Sequence, residues 1–484
     1  MDRRTFLQML AAGTALPLIG TGCASVAATA DAGEHFDVIV VGAGIAGLNA
    51  ALTLEMQQQR VLVLEASQRI GGRLQTVEAG GQRFDVGATD IGGNYWLTRG
   101  LAPRLGVALR DPDPDDASRA RTRTETALGL RDTLIGASQW PTSALNPLTG
   151  RERPILPTQL LGTAVGGPAN PLADVTRWLD PAHAAHDIPM RDWLSGHGWS
   201  REAIALMEVG ATYSAFDQVS ALEILRRAAL LARGPRWAGS IQDGAQRLPE
   251  AMAAKLQRPV VRGAVVTELL QRGDEVVVVA ADGRRWRGAH VVVAIPPGPL
   301  ARIRLDPAPP QQQRQAWTER KLTAVTAIHM RPLRPFWETD GLPLNMWLDG
   351  SIERLFGVPG ADGRIERIIA WINGAGAEQI DRMDENEIGR WAQRELARWR
   401  PAADKATEVL AVRSWGRDPY TLGAFSEIAP GRCASTAEWT AKPLGRLHFA
   451  GEHTGFIQPG IEAALASGVR TAAEITTART QPAG

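Results

Sequence analysis

The chain mixes segments with a strand period and segments with a helix period. Residues 37–41 form a short, β-branched apolar run, which predicts a buried strand. The apolar positions from Ile45 to Leu52 keep helical spacing, and Val61–Leu64 predicts a second strand. A strand, a helix and a strand in this order predict an α/β fold with a parallel sheet.

Later segments predict a mixture of helices and strands. Residues 191–233 place apolar side chains at i, i+3 and i+4, which predicts helices. Residues 265–296 predict a series of strands with turns at Gly273-Asp274 and Asp282-Gly283. The last periodic segment, residues 460–475, keeps its large apolar residues on one helical face.

Three glycines, Gly42, Gly44 and Gly47, form a G-x-G-x-x-G motif where the first strand must turn into the helix. The first allows a tight turn, the second lets a pyrophosphate approach the backbone, and the third lets helix pack on strand. Glu65 ends the second strand, where a carboxylate can accept both ribose hydroxyls of an adenosine. An ordinary glycine turn is the alternative, but strand, helix, strand and acid together predict dinucleotide binding.

Residues 1–30 are predicted to be an export signal. Arg3 and Arg4 precede an apolar stretch, Phe6–Ile19, which is typical of twin-arginine signals and too short for a membrane span. Ala28-Thr29-Ala30 offers a cleavage site, and Cys23 offers lipid attachment as an alternative. We therefore expect the twin-arginine export machinery as a partner and the periplasm as the location.

Composition indicates one large enzyme and excludes several other classes. The chain has 484 residues, 44% hydrophobic, with a net charge of +1, so nothing attracts nucleic acid or an anionic membrane. Only two cysteines are present, and cleavage would leave Cys433 alone, without an intrachain disulfide. The eight histidines lack ligand spacing, so we predict no metal site.

The residues after Glu65 indicate which dinucleotide is bound. Residues 65–76, EASQRIGGRLQT, resemble the flavin amine oxidase family, whose pattern after the acid is E-A-x-x-R-x-G-G-R. The resemblance implies FAD, with Gly72 and Arg73 against its diphosphate; a solvated basic turn is the alternative. Near the C-terminus, residues 447–454 resemble the family's F-A-G-E-x-T strand end, and a helix beginning near Gly460 would point at the flavin pyrimidine edge.

The resemblance spans residues 36–475 and implies a set of FAD-binding residues. Residues 84–90 resemble the segment beneath the flavin ring, Val260 holds the offset of a backbone adenine contact, and Trp415 should line the flavin. The implied cofactor-binding residues are Gly42, Gly44, Ala46, Gly47, Glu65, Ala66, Gly72, Arg73, Gly87, Ala88, Thr89, Val260, Trp415, Gly451, Glu452, Gly460 and Ile461.

The family pattern also implies a substrate site, with departures. Phe425 takes one position of the aromatic pair that sandwiches an amine, whereas the second position falls at Gly460, which predicts open room there. Ala424 replaces the cysteine that links flavin covalently in some members, so FAD should be held non-covalently. The lysine that holds a water near flavin N5 is replaced by Thr326, and Lys321 lies five residues earlier. The candidate catalytic residues are Thr326, Trp415 and Phe425.

The resemblance implies a Rossmann-type FAD-binding domain interleaved with an α+β substrate-binding domain, a sheet with cap helices. The FAD-binding domain is predicted at 34–90, 234–303 and 440–478, and the substrate-binding domain at 91–233 and 304–439.

The implied activity is an FAD-dependent amine oxidase that uses dioxygen or another electron acceptor. An L-amino-acid oxidase on the same fold and an exported flavoprotein without turnover are the alternatives. Asp90 lies near the place where amino-acid oxidases carry an arginine for the substrate carboxylate. It therefore favours an amine without an α-carboxylate, including one with a second cationic group. As the alternative, Asp90 caps the loop at Gly92-Gly93.

Overall fold

The computed structural model of the protein describes residues 34–110, 126–233, 238–360, 362–456 and 459–480. The predicted export signal, with Arg3, Arg4 and Cys23, lies outside the described residues, so it stays a prediction. Among the described helices, none combines the length and the apolar character needed to cross a bilayer.

The described residues form strands throughout the chain. In chain order they are β1 (His35–Val41), β2 (Val61–Leu64), β3 (Thr76–Ala79), β4 (Gln82–Asp85), β5 (Ile91–Gly92), β6 (Leu109–Arg110), β7 (Ala127–Leu130), β8 (Thr133–Gly136), β9 (Ala238–Ile241), β10 (Val266–Arg272), β11 (Glu275–Ala280), β12 (Arg285–Val293), β13 (Arg304–Asp306), β14 (Arg320–Thr323), β15 (Val325–Pro332), β16 (Met346–Leu348), β17 (Arg354–Pro359), β18 (Ile365–Asn373), β19 (Thr407–Ser414), β20 (Phe425–Ile428) and β21 (Leu447–Phe449).

The α-helices of the described residues lie between these strands. They are α1 (Ile45–Met56), α2 (Trp96–Arg104), α3 (Pro157–Val165), α4 (Met190–Gly196), α5 (Arg201–Val209), α6 (Ala221–Arg233), α7 (Arg247–Ala254), α8 (Pro297–Leu300), α9 (Gln311–Glu319), α10 (Gly374–Ile380), α11 (Glu385–Trp399), α12 (Cys433–Trp439) and α13 (Gly460–Thr480). Short 3-10 helices cover Ala137–Thr142, Gly150–Glu152, Gly167–Ala169, Val175–Arg177, Pro181–His186, Phe336–Thr339, Pro401–Ala403 and Glu452–Thr454.

The first large sheet has the order β13-β10-β11-β12-β1-β2, with β21 beside β12. Strand β1 runs parallel to both β2 and β12, and β21 runs parallel to β12. The inner part of β1 is buried on both faces, as its continuous apolar sequence requires of a central parallel strand. The predicted strands at residues 37–41 and 61–64 are therefore confirmed.

Helix α13 packs closely against α1 on this sheet. The Asn49 amide donates a hydrogen bond of 2.8 Å to the Leu465 carbonyl oxygen. A Cβ built on Gly468 would lie 2.5 Å from the Ala46 carbonyl oxygen, so glycine is needed for this approach. The packing brings the last helix of the chain against the first, and the predicted C-terminal helix is confirmed.

The second large sheet has the order β19-β15-β18-β17-β16-β7-β8. Helix α11 covers one face with an apolar stripe that includes Ile388, Leu396 and Trp399. The helix begins at a capping box in which Asp384 accepts from the Glu387 backbone N–H and Glu387 accepts from that of Asp384. Two layered sheets with helices confirm the predicted α/β class.

A helical region completes the fold, and its core contains Trp140, Trp178 and Trp193 together with apolar residues of α3 to α6. The strands of the first sheet come from the segments predicted for FAD binding, except β13, which begins at Arg304, one residue past the predicted boundary. The strands of the second sheet come from the segments predicted for substrate binding. The domain boundaries themselves stay a prediction.

Candidate active site

The glycine motif forms a tight turn between β1 and α1. Gly42 has φ of 106°, which favours glycine, and its N–H donates to the Leu64 carbonyl oxygen at 2.7 Å. A Cβ on Gly47 would overlap the Gly42 carbonyl oxygen, so a side chain there would push α1 off the strand. By contrast, a Cβ on Gly44 would meet nothing closer than the Gly72 Cα at 4.0 Å. The backbone at Gly44 is therefore open to a ligand, as the motif predicts.

Glu65 lies at the end of β2, and its carboxylate faces this turn. One carboxylate oxygen accepts the Ala43 N–H at 2.8 Å, and the other accepts the Ser67 N–H at 2.9 Å. Each oxygen keeps a second lone pair, so the carboxylate can still accept hydroxyl groups. The two backbone bonds fix its position before any ligand arrives.

Arg73 connects the N-terminal motif to two distant parts of the chain. Its guanidinium donates to the Ala424 carbonyl oxygen at 2.6 Å and pairs with the Glu452 carboxylate at 3.2 Å. Glu452 also accepts the Ser426 hydroxyl at 2.8 Å. Burial raises the pKa of Glu452, but the nearby guanidinium groups, Arg73 first, outweigh burial and lower this pKa overall. Glu452 is therefore an anion inside the protein.

These residues surround one cavity of about 470 Å³. Among the predicted site residues, its lining includes Gly42, Gly44, Ala46, Glu65, Ala66, Gly72, Arg73, Ala88, Phe425, Gly451, Glu452, Gly460 and Ile461. The cavity thus joins the N-terminus of α1, the Glu65 carboxylate, Arg73 and the start of α13.

The donor and acceptor set of the cavity fits FAD. The N-terminus of α1 and the Arg73 guanidinium offer positive charge to a diphosphate, and Glu65 offers a charged acceptor to ribose hydroxyls. The remaining lining is mostly apolar, which suits stacked aromatic rings. Among the residues that the structure describes, no group of three or more His, Cys, Asp or Glu side chains could hold a metal ion.

Comparison with known proteins agrees with this geometry. The model of the flavin-containing amine oxidoreductase family matches residues 45–476. The chain belongs to this family. It is therefore an oxidoreductase of the flavin-containing amine oxidase kind, and the resemblance inferred from the motifs is confirmed.

Relatives within the family differ in the substrates their names state. AofH of Mycobacterium tuberculosis, named as a flavin-containing monoamine oxidase, is 29% identical over 459 residues, 91% of this chain and 96% of its own. A mouse L-amino-acid oxidase is 26% identical over 90% of this chain and 70% of its own. Cyclohexylamine oxidase from Brevibacterium oxydans shares the fold with a TM-score of 0.73 at 22% identity, covering 92% of this chain and 100% of its own.

Thr326 was a candidate catalytic residue, and the structure corrects this prediction. Its side chain is fully buried in β15, and its hydroxyl donates to the Asp381 carboxylate at 2.7 Å. A side chain with no accessible surface cannot contact a substrate or hold a water beside it. All four lysines, including Lys321, are exposed, so none replaces the missing lysine in the interior. The error arises because Thr326 was chosen by alignment with the family's lysine position, which does not show whether the side chain at that position reaches the cavity.

Trp415 supports the predicted flavin-facing segment and does not line the cavity. Its indole N–H donates to the Val86 carbonyl oxygen at 3.1 Å, and Arg413 lies 4.0 Å from its ring centroid. A Cβ on Gly87 would lie 3.0 Å from the Trp415 ring. Trp415 therefore acts as a positioning residue for the backbone at Gly87, and its predicted contact with the flavin stays a prediction.

Five other predicted residues also lie outside the cavity lining. Gly47 and Gly87 act through close backbone packing, and the Thr89 hydroxyl donates to the Gly87 carbonyl oxygen at 3.2 Å. Val260 directly precedes Val261, whose backbone hydrogen-bonds to Val63 and Glu65. In this segment the cavity lining begins at Ala264, four residues after Val260. Asp90 is exposed. The adenine contact of Val260 and the role of Asp90 stay predictions.

Gly460 was expected to leave open room, and this expectation is wrong. A Cβ on Gly460 would lie 2.8 Å from the Tyr95 hydroxyl, so Tyr95 occupies the adjacent space. Burial raises the pKa of Tyr95 to about 12, and the carboxylates of Glu462, Glu452 and Asp90 contribute. The Tyr95 hydroxyl is therefore neutral at physiological pH. An aromatic residue from a distant loop thus takes space that a side chain at position 460 would need.

Sequence reasoning missed a wall of the cavity as well as Tyr95. The lining residues that were not named as site residues include Ala264, Val265, Val266, Thr267, Ile295, Pro299, Arg302, Ile303, Asp418, Pro419, Tyr420, Thr421 and His453. Most belong to apolar strands and proline turns that carry no local chemical signal. Burial lowers the pKa of His453 to about 3, so this lining residue is neutral.

Proposed function

We propose that the protein is an FAD-dependent amine oxidase. When bound, FAD would supply the acceptor, at N5, for a hydride from the amine α-carbon, and water would hydrolyse the resulting imine to an aldehyde or ketone with release of ammonia or an amine. One observation supports this most directly. The cavity that joins the glycine motif, Glu65, Arg73 and Glu452 is also lined by Phe425 and Gly460. An amine beside Phe425 would then lie next to the cofactor.

The residues of the chain orient the cofactor and the amine. Arg73 and Glu452 form an ion pair, so their opposite charges offset each other. Arg73 also donates to the carbonyl oxygen of Ala424, the residue before β20, and this contact positions Phe425. Tyr95 and His453 remain neutral at pH 7, so neither adds charge beside the substrate. The mostly apolar lining favours the neutral amine, the form that can release a hydride. No acid–base pair is required by this mechanism.

Further features of the proposal concern the acceptor, the attachment of FAD and the location. Dioxygen is proposed as the electron acceptor, reduced to hydrogen peroxide. FAD is proposed to be non-covalent because Ala424 lines the cavity where some members carry a linking cysteine. Export to the periplasm rests on Arg3 and Arg4, outside the described residues.

An L-amino-acid oxidase is the second candidate. The mouse relative of that name supports it, and so does a buried basic cluster near Phe425, described below. The two candidates differ only in whether the substrate carries a carboxylate.

Anaerobic mixing of the purified holoprotein with a panel of amines and amino acids tests the proposed function. We expect loss of the flavin absorbance near 450 nm, roughly within seconds at a turnover typical of enzymes, and peroxide formation when air is admitted. Phe425→Ala should keep FAD but lower kcat/KM for the best substrate. A flavin that no member of the panel reduces would favour a flavoprotein without turnover.

A further inference from the structure

Helix α6 carries a buried group of charges that no motif assigns. We call Glu223, Arg226, Arg227 and Arg320 the basic cluster. Their side chains are nearly inaccessible, at 0% for Glu223, 1% for Arg226 and 14% for Arg227. Glu223 pairs with Arg226 at 2.8 Å and with Arg227 at 2.9 Å. Burial raises the pKa of Glu223, but the two arginines outweigh burial and lower it to about 2.

The charges around this cluster do not balance. The adjacent pair Arg73–Glu452 and the buried Glu427 contribute one cation and two anions. Within this set, the basic cluster with Arg73, Glu452 and Glu427, four guanidinium groups therefore face three carboxylates, and the set carries one excess positive charge. Arg320 shows the imbalance most clearly, because its Nε and Nη1 atoms are sealed from solvent and have no hydrogen-bond partner. An unbalanced buried charge is costly, so an anion that enters this region is stabilised.

Arg227 presents part of its guanidinium to an internal hollow. Its Nε donates to Glu223, and its Nη2 donates to the Ser426 carbonyl oxygen. No hydrogen bond from Nη1 to a described residue is present, and this atom is not sealed. The Tyr213 ring lies 5.6 Å from the guanidinium carbon, and Tyr213 keeps accessible surface although protein surrounds it. A hollow beside Arg227 and Tyr213 explains accessible surface this deep in the protein.

Hydrogen bonds connect Arg227 to the strand that carries Phe425, the residue at the proposed substrate position. Arg227 holds the carbonyl of Ser426, the residue directly after Phe425 on β20. Ser426 in turn donates to Glu452, which lines the cofactor cavity. Arg227 also lies close enough to Tyr95 to affect its titration. One group of contacts therefore links the basic cluster, Phe425 and the cavity.

We propose that Arg227, together with the Tyr213 hydroxyl, binds a carboxylate of the substrate, so that the substrates are amines that also carry an acid group, amino acids above all. The Nη1 group of Arg227 and the neutral hydroxyl of Tyr213 are both hydrogen-bond donors, and both suit a carboxylate acceptor. A second cationic group would be repelled by the excess positive charge. This inference rests on the proposed amine oxidase function.

The inference and the Asp90 hypothesis make opposite predictions. Asp90 favours an amine without a carboxylate, but it is exposed and lies outside the cavity lining, whereas Arg227 is interior and linked to Phe425. Pairs of substrates that differ only in the carboxylate therefore decide between them. Suitable pairs are L-phenylalanine with phenethylamine, L-ornithine with putrescine, and 4-aminobutyrate with butylamine. In the last pair the carboxylate is distant from the amine-bearing carbon, so it shows whether a distal carboxylate is recognised as well as an α-carboxylate.

The test measures kcat/KM for both members of each pair with the holoenzyme. We expect the acid-bearing member of at least one pair to be preferred by at least about tenfold, and Arg227→Met to lower this ratio by about 10- to 150-fold, the loss typical of a hydrogen bond to a charged group. Tyr213→Phe removes one hydroxyl and should lower the same ratio by several-fold. Arg400→Met is the matched control, since Arg400 is an equally buried arginine that pairs with Asp340 outside the basic cluster and the cavity lining, so its removal should leave the ratio unchanged.

A binding measurement keeps the inference testable if Arg227→Met fails to fold. Benzoate should perturb the flavin absorbance of the unmodified holoenzyme in a saturable way, whereas benzylamine at a pH where it is cationic should not compete for that site. Preference for the amine member of every pair, with no benzoate effect, would overturn the inference while leaving the oxidase function intact. Reduction by no compound at all, with benzoate binding that Tyr213→Phe weakens, would instead contradict the proposed function alone.

Discussion

Arg73 and Glu452 lie 379 positions apart in the chain, yet their side chains form an ion pair with an Nη1–Oε2 distance of 3.2 Å. Arg73 follows the N-terminal glycine motif, and Glu452 precedes the last helix. The Ser426 hydroxyl and the Ala424 carbonyl oxygen complete the contact from β20 and the residue before it. The pair therefore holds the first, middle and last parts of the site together.

Replacing Glu452 should change how the stability of the apoprotein depends on pH. The pKa of Glu452 is lowered from its ordinary value of 4.5, so its anion stabilises the fold above that pH and the contribution is lost as pH falls through the lowered pKa. In Glu452→Gln, the free energy of unfolding should fall less steeply below pH 4.5 than in the unmodified protein. Glu408→Gln, which removes a partner of the exposed Arg331, is the control and should leave the slope unchanged. Parallel curves for Glu452→Gln would contradict the assignment.

Glu65→Ala should weaken FAD binding. It removes a charged acceptor for the ribose hydroxyls, a loss of about 1.5–3 kcal/mol. The affinity of the apoprotein for FAD, followed by quenching of flavin fluorescence, is the measurement. Glu55→Ala is a matched control, since Glu55 is also a buried carboxylate that accepts a backbone N–H, from Gln257 at 3.1 Å, but lies outside the cavity. Both variants should lose stability, and equal FAD affinities would contradict the role of Glu65.

FAD should be released when the holoprotein is denatured by acid. Ala424 has no side chain able to form a bond to the flavin, and it is the residue that lines the cavity at the expected linking position. After precipitation with trichloroacetic acid, the yellow colour should be in the supernatant. Colour that stays with the pellet through washing with denaturant would show a covalent link and a different attachment residue.

Gly460 and Tyr95 should show strong energetic coupling. Gly460→Ala introduces a methyl group 2.8 Å from the Tyr95 hydroxyl, in a backbone conformation with φ of 63°. The contact should cost about 1–3 kcal/mol and the left-handed conformation about 1–2 kcal/mol. In a Tyr95→Phe background the nearest ring atom lies 3.8 Å away, so only the conformational cost should remain. A double-mutant cycle of unfolding free energies measures this coupling, and additive effects would mean that Tyr95 does not fill the space.

Export should depend on the paired arginines near the N-terminus. Arg3→Lys together with Arg4→Lys should leave the folded, FAD-containing protein in the cytoplasm, because the twin-arginine route requires that pair. Fractionation of cells that express the full chain gives the distribution. Cys23→Ser serves as the control, since it should not alter export unless the protein is lipidated. Unchanged periplasmic protein in the double variant would rule out this route.

The parts of the site that could be predicted are those set by local spacing. Gly42 and Gly47 are needed by a turn and a close helix contact within a few residues, and Glu65 follows from the length of one helix and one strand. Arg73 and Glu452 were found because each belongs to a short motif. Each of these residues belongs to a turn, a helix–strand contact or a motif formed by residues close together in the chain, so the sequence alone indicates it.

Tyr95, Tyr213 and Arg227 could not be found in this way, because only tertiary packing brings Tyr95 against Gly460 and brings Arg227 against Ser426 and Tyr213. The periodicity of α6 correctly predicts a helix, but a polar Glu-x-x-Arg-Arg group normally marks a solvated face. Here the group is buried under the helical region, where it leaves an excess of charge. Thr326 shows the reverse error, because its position in β15 was predicted but the direction of its side chain was not.

The order in which the chain is made follows from the sheet that holds the cofactor. Strand β1 is complete by residue 41, but β21 and the residues that complete the cavity, Gly451 to Ile461, come from the last tenth of the chain. A ribosome that has released the chain only as far as β12 has therefore exposed a half-built nucleotide pocket and a strand, β12, whose partner β21 is not yet made. Flavin loading must therefore wait until β21 and the start of α13 have been made, and a chain that stops before β21 would lack Gly451, Glu452 and Ile461 from the cofactor cavity and leave an open sheet edge prone to aggregation.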